Sequence, residues 1–162
     1  MNDHMTEAIA GVGSDAPPGR ALGVDLGSVR IGLALSDPSR TVASPHVVLR
    51  RARDHAADHR VIADIAREQA VTVIVVGLPL SLSGAKGPAA RAAEQEIEEL
   101  RAAVGSNVSV VAHDERLTTI TAERSLNEAR MRRADRTKVV DKVAAAIMLQ
   151  SWLEIPSRPR LR

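Results

Sequence analysis

The chain has 162 residues, 44% apolar and 26% charged, with a formal net charge of +2 and no cysteine. That length suits one domain able to bury roughly two-thirds of its unfolded surface. The missing cysteines exclude a disulfide scaffold, a thiol nucleophile and a Cys-ligated zinc, and no apolar run is long enough to make a membrane a partner.

Residues 1–19 carry Asp3, Glu7 and Asp15 but no Lys or Arg, together with Gly11, Gly13, Pro17, Pro18 and Gly19. Without apolar periodicity they are expected to form a disordered extension, and they lack the layout of a secretory signal, so a cytoplasmic location follows. From Gly23 to Asp37 the chain reads GVDLGSVRIGLALSD. Two apolar runs flank a polar turn, with Ile31, Leu33 and Leu35 alternating against Gly32, Ala34 and Ser36, which predicts an antiparallel hairpin. Asp25 follows Leu22 and Val24 in the first run. A carboxylate in a core strand is costly unless compensated, so it faces a metal ion, faces turn N–H groups, or simply caps the turn.

A third strand is expected at His46–Leu49, after Pro45, then a helix over residues 54–70 with Val61, Ile62, Ile65 and Ala66 on one face. His55 and His59 share a face of that helix, but without a third ligand they read as exposed polar residues. VTVIVVG (Val71–Gly77) is the continuous β-branched run of a strand buried on both faces. Residues 88–104 place Ala89, Ala93, Ile97, Leu100 and Val104 in a stripe, with Glu94, Glu96, Glu98 and Glu99 outside it. A strand at Val108–Ala112 runs into His113, Asp114 and Glu115. Helices over 119–130 and 138–153 follow, the latter with Val139, Val140, Val143, Ala144, Ile147, Met148 and Trp152 inward, and residues 156–162 form a short basic tail. The expected class is α/β: a domain over 20–155 with three antiparallel strands, then two parallel ones reached through helical crossovers, in one five-stranded sheet flanked by helices. Sites in such sheets gather at the C-terminal strand ends, where Asp25 and Glu115 stand.

Four segments in this order, GVDLGSVRIGLALSD, VVGLPLSLSG (Val75–Gly84), DERLTT (Asp114–Thr119) and VVDKVAAAIMLQ (Val139–Gln150), resemble the motifs of the YqgF/RuvX family. The resemblance covers about residues 20–155. It implies a ribonuclease H-like fold related to Holliday-junction resolvases, a nuclease acting on pre-16S rRNA, and a catalytic, metal-holding set of Asp25, Glu115 and Asp141. Oxygen ligands of this kind suit Mg²⁺ or Mn²⁺, and two such ions can activate water and neutralise a scissile phosphate. Asp25, from the central strand, would bridge them, and Asp141 would approach from the first turn of the closing helix. Related resolvases carry a further acid three residues from the last one, where this chain has Lys138 and Ala144, so the second ion depends on a substitute such as Asp114 or Asp37. Relatives also often have Lys at the position of Val29, which leaves Arg30 as the candidate phosphate contact there.

Arg130, Arg132, Arg133, Arg136, Lys138 and Lys142 crowd one segment, a pattern suited to phosphates. Arg30, Arg116, Thr118, Thr119, Arg132, Arg133 and Lys138 are the expected nucleic-acid contacts. Trp152 is the lone aromatic residue, so bases have little to stack on and binding should run through phosphates, with a steep salt dependence. The reading is a metal-dependent endonuclease on structured RNA or branched DNA. Its alternatives are a Holliday-junction resolvase, which calls for two active sites and hence a homodimer, and a catalytically weak nucleic-acid-binding module of the same fold. VDLGS also resembles the start of sugar-kinase and actin-like ATPase lobes, which need a second lobe for which this chain is too short.

Overall fold

A computed structural model describes residues 19–80, 83–114 and 133–156, with the backbone alone for 133–140. The elements in order are β1 (Arg20–Leu26), β2 (Arg30–Ser36), β3 (Ala43–Arg50), α1 (His55–Glu68), β4 (Val71–Leu78), α2 (Pro88–Val104), β5 (Ser109–Asp114) and α3 (Arg133–Leu153). The five strands form one sheet in the order β3-β2-β1-β4-β5, with β1 at its centre. β1, β2 and β3 pair antiparallel, and β4 pairs parallel with both β1 and β5. This is the expected topology. It follows from chemistry: short polar turns suffice for the antiparallel strands, whereas the parallel ones need the α1 and α2 crossovers.

β3 starts before Pro45 rather than after it. Pro45 pairs with Ala34 beside a register shift at Leu33/Ala34, and an edge strand tolerates a residue that cannot donate. α1 begins after Asp54, whose carboxylate accepts the Ala56 N–H at 3.0 Å, an N-cap of the usual kind. α2 opens with Pro88 at its first position, where the missing N–H costs nothing. The expected helix over 119–130 lies outside the described residues.

Side-chain alternation divides the core in two. Leu22, Val24, Ile31, Leu33, Ile74 and Val76 face α1 and α2, where they meet Ile62, Ala66, Ile97 and Leu100. Ala21, Ala34, Val73 and Val75 face α3, where they meet Ala145, Met148 and Leu149. The first layer is thick and branched and the second thin, because α3 lies almost on the strand backbones. A Cβ on Gly32 would stand 2.1 Å from the Asp141 carbonyl oxygen, and one on Gly23 would stand 2.9 Å from Leu149 Cβ. Gln150 fixes the far end of α3, accepting the Ala43 N–H at 2.8 Å and donating to the Thr41 carbonyl at 3.2 Å. Gly32→Ala is therefore expected to push α3 off β2 and cost about 1–3 kcal/mol, as overpacking does. Thermal denaturation reads this directly, and an unchanged midpoint would mean that α3 is not seated on Gly32.

Several packing expectations are corrected, including His59, expected exposed but buried, and Ala89, expected in the α2 stripe but exposed. Val61 is exposed and not part of the α1 stripe, whereas His59 and Asp58 are buried beside Ile62. Glu96, expected outside the α2 stripe, is also buried. Trp152, expected inward, is only partly buried at the margin of the α3 layer. The polar groups survive burial by binding one another. Arg51 Nη1 and Nη2 donate to Glu96 Oε1 at 2.5 Å and Oε2 at 2.7 Å, and Nη1 also reaches Asp58 Oδ2 at 3.3 Å. His59 Nε2 lies 3.0 Å from Glu96 Oε1.

Candidate active site

Asp25 lies one residue from the end of the central strand and is half-buried. It pairs in register with Gly32, and opposite residues of an antiparallel pair share a face. That face is the one α3 covers. Gly32 in turn supports Asp141: its hypothetical Cβ stands 3.3 Å from the Asp141 Cα. With about 4.5–5.5 Å between paired Cα atoms, the Cα atoms of Asp25 and Asp141 stand within about 10 Å of each other. Two of the three expected acids are thus neighbours on one side of the sheet, joined through a residue that has no side chain to separate them.

Asp141 does not come from the first turn of its helix. α3 starts at Arg133, so Asp141 sits in the third turn, where the helix N-terminus contributes little. Its carboxylate is instead neutralised by Arg30, whose Nε donates to Oδ2 at 2.6 Å. Arg30, expected as a phosphate contact, is therefore an ion-pair partner of the acid itself in the free chain.

The loop that follows Asp25 is tied from below. The Gly27 N–H donates to the Arg30 carbonyl at 2.9 Å, closing the turn, and the Arg51 N–H donates to the Val29 carbonyl at 2.8 Å. Arg51 Nε donates to the Gly27 carbonyl at 3.0 Å. One guanidinium thus links the β1–β2 turn to Asp58 on α1 and Glu96 on α2. Glu96 is pushed up by burial, but the hydrogen bonds from Arg51 and His59 outweigh this and leave its carboxyl below the usual range. Glu96 and Asp58 raise Arg51 above its ordinary value, chiefly through the Glu96 hydrogen bond. Sequence reasoning missed this frame, although Ala93, Glu96, Ile97 and Leu100 follow the spacing of a buried helical stripe.

Neither substitute for the further acid joins Asp25. Asp37 follows the opposite end of β2, where it accepts the Thr41 and Val42 N–H groups at 2.7 and 2.8 Å and the Ser39 hydroxyl. The Ser39 hydrogen bond, with those from the backbone, holds its carboxyl at about 2. It is a turn residue. Asp114 ends β5 in register with Leu78, whose side chain packs with Ala90 and Ala93 of α2, so alternation directs Asp114 to the face away from α3. His113, its neighbour, shares the α3 face and lies 3.2 Å from Ser151 Oγ through Nε2. Burial lowers its pKa, opposed in part by Asp114.

Glu115 follows the last residue of β5 and, with Arg116, Thr118, Thr119 and Arg132, lies outside the described residues. Arg133 and Lys138 belong to α3, described there by backbone alone. Among the described residues no three His, Asp or Glu side chains converge as a metal site. Asp25 and Asp141 form an all-oxygen pair, the chemistry a hard divalent cation takes, and the Arg30 guanidinium on Asp141 shows that positive charge is accepted there.

The chain is similar to several known proteins. A family model described as "RuvX: Holliday junction resolvase" matches residues 19–155. A protein of Rhodococcus opacus (strain B4) named "Putative pre-16S rRNA nuclease" is 41% identical over 160 residues, covering 96% of this chain and 89% of its own length. One of Roseiflexus sp. (strain RS-1) with the same name is 41% identical over 137 residues, covering 85% of this chain and 95% of itself. Among solved structures, T. thermophilus RuvC in complex with a Holliday junction substrate superposes with a TM-score of 0.52 at 13% identity, over 80% of this chain and 91% of RuvC. The fowlpox virus resolvase bound to Holliday junction DNA gives 0.52 at 14%, over 83% of this chain and 97% of that one. At these identities the two structures speak for the fold, which is ribonuclease H-like.

Proposed function

The chain belongs to the RuvX Holliday junction resolvase family, and on that premise we propose that it is a divalent-metal-dependent endonuclease that processes the 5′ end of pre-16S rRNA in the cytoplasm. The observation that carries the reading is the placement of Asp25 and Asp141 on one face, across Gly32, at the C-terminal end of the central strand. Glu115, directly after the parallel edge strand β5, completes the acidic set. Asp25, Asp141 and Glu115 would hold Mg²⁺ or Mn²⁺, which when bound supplies charge neutralisation at the phosphate and a more acidic water. The remaining work falls to the chain's own side chains. The half-buried Asp25 would set where such an ion sits relative to the sheet, and the Arg51-tied turn keeps Asp25 in place. Arg30 neutralises Asp141 in the free state and stands beside the path of a bound phosphate. Arg116, Thr118, Thr119, Arg132, Arg133 and Lys138 contact flanking phosphates.

The family description favours a second reading, junction resolution by a homodimer that presents two sites. One experiment separates the two. Labelled ribosomal RNA precursor and a four-way DNA junction are each incubated with the protein in Mg²⁺, in Mn²⁺ and in EDTA. The expected result is metal-dependent cutting of the precursor, abolished by EDTA. Symmetric cutting of the junction alone would establish the resolvase, and cleavage that persists in EDTA would remove the metal from either reading.

A further inference from the structure

Beside the acidic pair, a groove of about 510 Å³ is lined by Val29, Arg30, Val47, Val48, Arg50 and Lys142. Its charges are unbalanced. Arg30 and Arg50 are direct register partners on β2 and β3, and like charges placed opposite each other in an antiparallel pair repel. Lys142 adds a third cation from α3. One carboxylate answers them: Asp141 holds Arg30, while among the described residues Arg50 and Lys142 have no ion pair. Alternation puts Arg30, Val48 and Arg50 on the same face as Asp25, so the groove leads outward from the acids to the β3 edge of the sheet. Val29, 53% exposed, and Val48 give its wall apolar surface.

From this we infer that the groove seats the phosphodiester backbone on one side of the bond to be cut, with Arg50 and Lys142 as its phosphate ligands. Bound phosphates supply the negative charge that the Arg30–Arg50 register pair lacks. Arg30 lies between the two regions and couples them, since its guanidinium holds Asp141 from within the groove. The apolar wall suits the sugar faces between phosphates. This extends the nuclease reading and rests on it.

The test is binding rather than cleavage. A fluorescein-labelled 20-base-pair RNA duplex, and a DNA duplex of the same sequence, are titrated in EDTA across a salt series. Arg50→Ala and Lys142→Ala are each expected to weaken binding about three- to ten-fold and to reduce the log–log salt slope by about 1, the signature of one lost phosphate contact. Arg60→Ala removes the same charge from an exposed position of α1, across the sheet, and should change affinity less than about two-fold. Binding of either duplex with this pattern upholds a phosphodiester ligand, and the tighter duplex names its source. Groove variants that behave like Arg60→Ala overturn the inference, as does a wild type that binds neither duplex. Cleavage of the precursor RNA, measured separately, decides the nuclease reading independently of either outcome. Thermal melts of each variant establish that a weakened one is folded.

Discussion

Asp25→Asn is expected to lower metal-dependent cleavage by at least about a thousand-fold while leaving the fold intact. Charge stabilisation of a transferring phosphoryl group by a bound ion is worth several kcal/mol, and each 1.36 kcal/mol is a factor of ten in rate. Asparagine keeps the size and planarity of the side chain but loses the charge that would hold the ion. The substitution should not unfold the protein, because asparagine keeps the shape of the side chain at a position that is only half-buried. Single-turnover rates at saturating metal, with melting curves of both proteins, check the two halves together. A variant that cuts at the wild-type rate would reduce Asp25 to the turn-capping residue its strand-end position also allows. If Asp25 and Asp141 act as one unit, the double variant loses no more activity than either single one.

The parts of this architecture that the sequence revealed are those that depend on local pattern. VTVIVVG reads as a buried strand because nothing in it tolerates water, and Pro88–Val104 matches its expected bounds because Pro and Gly105 mark its two ends. Asp25 was legible as a carboxylate out of place among apolar neighbours. The start of α3 was not, since its first residues are a charged cluster with no apolar face to betray a helix, and the error put Asp141 in a first turn it does not occupy. The Arg51–Asp58–His59–Glu96 frame was hidden for another reason. A charged residue is assigned to the surface by default, and the partner that makes burial tolerable here comes from a different element. Yet the spacing was there: His59, Ile62 and Ala66 follow the same three-and-four rhythm as Ala93, Glu96, Ile97 and Leu100. The groove was half visible, since Lys142 belongs to the noted basic cluster. Arg50 was invisible until strand register set it against Arg30.

Arg51→Met is expected to be the most destabilising substitution discussed, at about 3–5 kcal/mol near pH 7, the cost of leaving a buried carboxylate without its cation. Arg51 and Glu96 expose only 11% and 9% of their side chains, so water compensates the lost partner poorly, and Asp58 loses its contact at the same time. The penalty has a pH signature. The folded-state pKa of Glu96 is lowered, so its contribution in the wild type is fully present above the unfolded value near 4.5 and is lost as pH falls through the lower folded value. Arg51→Met removes the cause of that lowering. Urea denaturation should therefore show a large gap between wild type and variant at pH 7 that narrows as pH falls below about 4.5 and closes only once pH has passed the lower folded value, where the carboxyl is protonated in both. A gap independent of pH would assign the loss to packing of the arginine stem instead. Arg51→Met combined with Glu96→Leu should recover part of the stability, because an apolar pair of similar volume costs less than a broken ion pair. Recovered stability need not bring recovered activity. The Arg51 guanidinium also holds the Gly27 carbonyl, two residues beyond Asp25, and a well-packed double variant still lacks that tie. Cleavage that stays low while the melting temperature returns would identify Arg51 as the residue through which the buried frame positions the catalytic strand end.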